Sequence, residues 1–161
     1  MKIRIAGITE DSIVDGPGLR LTVFVQGCPH NCPGCHNPET HDIHGGRLVD
    51  TSEIIAKMDA NPLLDGITLS GGEPFLQPEA CAELADEAHK RGLNVWCYTG
   101  YTIDTIIGGR DNGKRGLLKR IDVLVDGLYI ESLRTLELPW RGSKNQRVIE
   151  LRPESQKEVQ P

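Results

Sequence analysis

The feature that most constrains this chain is a repeated succession of short apolar runs that end abruptly in small or polar residues. Leu19–Val25 runs into Gln26-Gly27-Cys28, and Gly66–Leu69 into Ser70-Gly71-Gly72. Leu93–Thr99, with Tyr98-Thr99-Gly100 at its end, and Ile121–Val125, followed by Asp126-Gly127, repeat the pattern. Helix-patterned stretches lie between these runs. Asp50 or Thr51 can cap a helix reaching Met58, with Ile54, Ile55 and Met58 on one face. Pro78 and Gly92 bracket a second helix, in which Cys81, Leu84, Ala85 and Ala88 follow i, i+3, i+4, i+7 spacing. Lys2–Ala6 and Arg147–Leu151 read as further strands, Thr102–Ile107 as a short helix and Leu117–Arg120 as a helical turn. Strands alternating with helices imply an α/β fold with a largely parallel sheet. Parallel strands collect ligands at their C-terminal ends. The four polar groups are therefore expected on one rim.

The chain has 161 residues, the size of one domain, read here as residues 1–152 with a polar tail at 153–161. A net charge of −5 argues against a nucleic-acid partner. No apolar run approaches the ~20 residues of a membrane span. The N-terminal MKIRIAGITEDS has no long apolar stretch of the secretory kind. A cytoplasmic, reducing location is expected, and thiols clustered there point to metal before disulfide.

Three of the five cysteines fall within Cys28-Pro-His-Asn-Cys32-Pro-Gly-Cys35. From Cys28 to Gly46 the chain carries three prolines and three glycines, the composition of a long loop. Loops of this length in small domains are usually functional. Thiolates at C-x3-C-x2-C spacing can converge on one inorganic centre. A [4Fe–4S] cluster usually takes four cysteines, so three would leave one iron open to a small molecule. A zinc site completed by His30 or His36 is the rival reading. Cys81 and Cys97 read as core residues, and His30 as a solvated loop residue.

The same cysteine spacing resembles the cluster motif of the radical S-adenosylmethionine (SAM) superfamily. The residue before the third cysteine is usually aromatic there and is Gly34 here. Thr68-Leu-Ser-Gly-Gly-Glu-Pro74 is similar to the superfamily's GGE motif, which binds the methionine end of SAM. The resemblance implies a partial, open β/α barrel as a single domain. It implies a [4Fe-4S] cluster on Cys28, Cys32 and Cys35. SAM would lie against Gly34, Cys35, His36, Ser70, Gly71, Gly72 and Glu73, with the Glu73 carboxylate accepting from the ammonium group. Asp126, on the same rim, is a further candidate contact to the SAM ribose or to a cation, a turn-forming Asp-Gly being its alternative. For Tyr98, a SAM contact and a packed strand end are equally open.

Three segments narrow the resemblance. Asp15-Gly-Pro-Gly-Leu-Arg20 and Cys35-His-Asn-Pro-Glu-Thr40 resemble the activating enzymes of glycyl-radical proteins. Trp140-Arg-Gly-Ser-Lys-Asn-Gln-Arg-Val-Ile149 looks like the C-terminal signature of the branch that serves anaerobic (class III) ribonucleotide reductase. That branch uses the cluster to cleave SAM reductively, and the resulting radical takes a hydrogen atom from a glycine of the reductase. The implied partners are the reductase and a flavodoxin- or ferredoxin-like electron donor. Activation of another glycyl-radical enzyme, such as pyruvate formate-lyase, is the alternative. Asp15, Gly16, Arg20, Arg141, Asn145 and Arg147 are the residues expected to dock the protein substrate.

Overall fold

The computed structural model describes residues 1–152; the polar tail at 153–161 lies outside the described residues. A seven-stranded sheet organises them: β1 (Lys2–Ser12), β2 (Arg20–Val25), β3 (Arg47–Asp50), β4 (Gly66–Gly71), β5 (Asn94–Tyr98), β6 (Val123–Asp126) and β7 (Arg147–Glu150). The strand order is β3-β1-β2-β4-β5-β6-β7. The centre, β2-β4-β5-β6, is parallel. Both margins are antiparallel, β1 pairing with β2 and β3, and β7 with β6. The sheet therefore stays open, as a partial barrel with its parallel strands in the middle.

Four helices complete the chain: α1 (Thr51–Ala60), α2 (Pro78–Lys90), α3 (Ile103–Gly108) and α4 (Asn112–Leu118). Asp50 caps α1, its Oδ1 accepting from Ser52 N at 3.0 Å. Pro78 stands in the first turn of α2, and Gly92 follows that helix at φ +72°. Asp111 caps α4 through Lys114 N at 3.0 Å. The helical segment expected at Leu117–Arg120 thus begins five residues earlier and ends at Leu118. β1 also runs on to Ser12, past its expected end at Ala6.

Side chains alternate across the sheet, as strand geometry requires. Leu21, Val23, Val25, Ile67, Leu69, Val95 and Cys97 share the core with Ile54, Met58, Cys81, Leu84 and Leu117 of the helices. Burying those groups is the main stabilising term of the fold. The alternate residues face the opposite side. There Trp96, Val123 and Val125 form a smaller cluster with Tyr98, Trp140 and Val148.

Arg20 belongs to this interior and is fully buried. It donates to Thr68 Oγ1 (2.7 Å), Ile67 O (2.7 Å), Asn94 Oδ1 (2.6 Å) and Pro17 O (2.9 Å). Its guanidinium also lies 5.7 Å from the centre of the Trp96 ring. Burial lowers its pKa to about 10. This corrects the docking role expected of Arg20: the side chain ties β2, β4 and β5 together from within.

Candidate active site

The C-terminal ends of β2, β4, β5 and β6 open onto one cavity of about 630 Å³. Cys28, Cys32 and Cys35 line it, as do Ser70, Gly71 and Gly72. The cluster loop and the Gly-Gly turn, 36 residues apart from Cys35 to Gly71, therefore share a wall. Gly71 is required there. Its φ is +94°, and a Cβ would stand 2.7 Å from Phe24 Cα, so only glycine lets β4 turn this close to β2.

The cysteine loop is held on both sides. Gly27 N donates to Thr40 O at 2.7 Å and Cys28 N to His41 O at 3.2 Å. Gln26 Nε2 reaches Glu39 O and Asp42 O at 2.9 and 2.7 Å. Cys35 N donates to Cys32 O at 3.1 Å, closing the turn through Gly34, whose φ is +73°. A Cβ on Gly34 would lie 2.6 Å from the Glu131 carboxyl carbon. Glu131 thus occupies the space into which an aromatic residue at position 34 would extend.

Three thiols beside one cavity are the donor chemistry an iron–sulfur centre takes, although among the described residues no three His, Cys, Asp or Glu side chains are gathered closely enough to hold a metal ion. Cys28, Cys32 and Cys35 are half-buried at the cavity wall, whereas Cys81 and Cys97 are wholly buried in the core, as expected. Burial pushes the Cys28 and Cys32 thiols up. Backbone amides act the other way: His30 and Asn31 donate toward Cys28, and Tyr129 toward Cys32. Asn37 N adds a contact to Cys35 Sγ at 3.4 Å. Amides aimed at cysteine sulfur are among the groups that tune cluster potentials.

Glu73 departs from its expected role. Its carboxylate is fully buried and receives four donors. His30 Nε2 lies 2.6 Å from Oε1, Gly100 N donates to Oε1 at 2.8 Å, Thr99 Oγ1 to Oε2 at 2.8 Å and Phe75 N to Oε2 at 3.1 Å. With those places taken, the carboxylate is a strut joining the cysteine loop to the ends of β4 and β5. His30 is likewise not a solvated loop residue. Its ring packs edge-on against Tyr101 with centroids 4.6 Å apart. Its place two residues after Cys28 was the available signal.

Asp126 is also turned inward. It accepts from Arg147 Nε and Nη2 at 2.9 and 2.6 Å and from Ile103 N at 2.8 Å. The buried carboxylate ties β6 to β7 and α3, leaving Gly127 to line the cavity. His36 does line it, its ring 4.9 Å from that of Tyr129. Tyr98 lines it too and packs beside Trp96; burial raises its phenol pKa.

The residues expected to dock a substrate divide. Asp15 and Arg141 line the cavity. Asp15 accepts from Ser12 Oγ at 2.5 Å and Thr22 Oγ1 at 3.1 Å. The buried Nε of Arg141 has no hydrogen-bond partner among the described residues. Gly16 packs inward on Arg20 and Trp96. Asn145 donates to Leu128 O at 2.7 Å, and Arg147 is engaged by Asp126. These last two brace the final segment and are absent from the cavity lining.

A family model described as a 4Fe-4S single cluster domain matches residues 14–149. Fold and site together therefore define an iron–sulfur protein built around one cluster, which decides against the zinc reading. The anaerobic ribonucleoside-triphosphate reductase-activating protein of Salmonella typhi is 38% identical over 149 residues, covering 87% of this chain and 94% of its own length. The corresponding protein of Escherichia coli K12 is 36% identical over the same shares, and that of phage T4 is 36% identical over 142 residues, 84% and 86% of the two chains. The chain belongs to the family of anaerobic ribonucleoside-triphosphate reductase-activating proteins. The crystal structure of QueE from Escherichia coli superposes on 63% of this chain and 54% of its own, with TM-score 0.48 and 16% identity.

Proposed function

We propose that this chain is a radical SAM activase, which places a glycyl radical on an anaerobic ribonucleotide reductase. The observation that carries the reading is the shared wall of the cavity: three half-buried thiols on one side and the Ser70-Gly71-Gly72 backbone on the other. Cys28, Cys32 and Cys35 hold the [4Fe-4S] cluster. Bound there, the cluster would supply the single electron that reductive cleavage of SAM requires, the chemistry needed to remove a hydrogen atom from a substrate glycine.

The chain's own residues bind, orient and exclude water. The carbonyls of the Gly71-Gly72 turn accept from the SAM ammonium, since the Glu73 carboxylate is fully engaged elsewhere. Glu73 and His30 act at one remove by fixing the cysteine loop against that turn. His36 follows Cys35 on the same wall. No acid or base is required of the protein; its part is positioning and shielding. The electron donor is a flavodoxin- or ferredoxin-like protein, and the cytoplasm supplies the reducing surroundings such a cluster needs.

Anaerobic reconstitution tests the reading. A brown protein with about four irons and four sulfides per chain, forming methionine and 5′-deoxyadenosine from SAM under dithionite, is expected. A colourless protein that leaves SAM intact would overturn it.

A further inference from the structure

The substrate of the proposed activity is a glycine inside another protein, so a peptide segment must reach the cavity. The opening shows how. Four large apolar side chains of the described residues are more than 70% exposed: Ile13 at 72%, Val14 at 73%, Leu63 at 75% and Leu136 at 88%. Leu63 lies before β4 and outside the cavity lining. Ile13 and Val14 lie in the connection that leads into the start of β2, and Val14 and Leu136 line the same cavity as the three cluster thiols. Apolar side chains exposed together beside a cavity mark a surface that another molecule covers.

Both elements that present these residues are braced. On one side, the β1–β2 connection is held by Asp15, which accepts from Ser12 Oγ and Thr22 Oγ1, and by Val14 N donating to Ser12 Oγ at 3.4 Å. On the other side, Arg134 and Ser143 pair as an antiparallel bridge, and Thr135 N donates to Gly142 O at 3.0 Å. Gln146 Oε1 receives Gly142 N and Ser143 N at 2.8 and 3.1 Å. Residues 135–142 therefore form a narrow loop carrying Leu136. At the foot of that loop Trp140 has φ +66° and packs edge-on against Trp96, with centroids 5.7 Å apart. A tryptophan held in the left-handed region is strained, and such strain concentrates at functional sites.

We infer that Ile13 and Val14 on one side and Leu136 on the other are two lips that grip the glycine-bearing segment of the reductase. The segment is an extended peptide with apolar side chains flanking the glycine. It enters between the lips, and the glycine, having no side chain, reaches deepest. Asp15 and Arg141 line the same cavity, where their side chains can meet its amides and carbonyls. The inference rests on the activase reading and goes beyond it by naming the surface and the character of the segment.

The test uses the cluster-loaded enzyme with the anaerobic reductase. Ile13→Asp and Leu136→Asp are compared with unsubstituted enzyme and with Leu63→Asp. Two quantities are read: SAM cleavage under dithionite without reductase, and the dissociation constant for the reductase. Both lip variants are expected to cleave SAM at the unsubstituted rate and to bind the reductase at least about ten-fold more weakly. Leu63→Asp is expected to change neither, and Leu136→Met to keep tight binding. Undiminished binding in both lip variants, or equal weakening by Leu63→Asp, overturns the lips while leaving the activase reading intact. Failure of the unsubstituted enzyme to cleave SAM overturns both.

Discussion

His30 Nε2 lies 2.6 Å from Glu73 Oε1, joining the middle of the cysteine loop to the residue that follows the Gly-Gly turn. The pair holds the cysteine loop beside the Gly-Gly turn along the cavity wall. A buried carboxylate is costly unless its oxygens are bonded, and here four donors meet it. Replacing His30 by Ala leaves Glu73 one donor short and is expected to destabilise the chain by about 1.5–3 kcal/mol. His30→Gln, which can still donate, should recover part of that loss. Chemical unfolding of the three proteins checks the order. Equal stability of all three would remove the strut from the account.

Arg20 supplies a second prediction. Five hydrogen bonds surround a guanidinium with no access to water. Arg20→Ala leaves their neutral acceptors buried and unpaired and should cost about 3 kcal/mol or more, since each buried acceptor deprived of its donor costs about 1–3 kcal/mol. Reductase affinity per folded molecule should stay unchanged, because the side chain never reaches the surface. A variant of normal stability with weakened docking would contradict this.

Gly71→Ala should fail for a different reason. The added methyl meets the backbone of Phe24 and Val25 at 2.7 Å, and φ is +94°. Neither backbone can swing away as a flexible side chain could. A loss of about 2–3 kcal/mol is expected from overpacking and strain together, measurable as a lowered urea midpoint.

The buried thiols give a pH dependence of definite sign. Burial holds the Cys81 and Cys97 thiols protonated well above their ordinary range. In the unfolded chain the same groups ionise near pH 8.5. Above that pH the native state keeps protons that the unfolded state has lost, so stability falls as pH rises. Each thiol adds up to about 1.4 kcal/mol per pH unit to that fall. Cys81→Ala should therefore show a shallower decline between pH 9 and 10 than the parent, whatever its stability at pH 7. Anaerobic urea titrations across that range measure the slope, and an unchanged slope would refute the assignment.

What could be read from the sequence was local. Pro78 and Gly92 bracket α2, and the i, i+3, i+4, i+7 spacing of Cys81, Leu84, Ala85 and Ala88 names its buried face; both are properties of one segment. The rim was legible because each parallel strand ends in a small or polar group. β3 was not, since Arg47–Asp50 is a strand by virtue of pairing with Lys2–Ile5 and carries no alternation of its own. Gly113 and Gly116 mask α4, which its Asp111 cap and its packing on α2 sustain. Arg20, Glu73 and Asp126 read in sequence as residues that contact substrate or SAM. Their partners lie 48, 43 and 21 residues away, so only the folded chain reveals that all three are structural ties.

The central claim is that this chain makes a glycyl radical on the reductase, and electron paramagnetic resonance measures it most directly. Reduced, cluster-loaded enzyme is mixed anaerobically with SAM and the anaerobic ribonucleotide reductase, and in parallel with pyruvate formate-lyase. The account predicts a glycyl-radical doublet with the reductase, none with the formate-lyase, and none with a Cys32→Ala enzyme that has lost its iron. A doublet only with the formate-lyase, or one that survives Cys32→Ala, would contradict it.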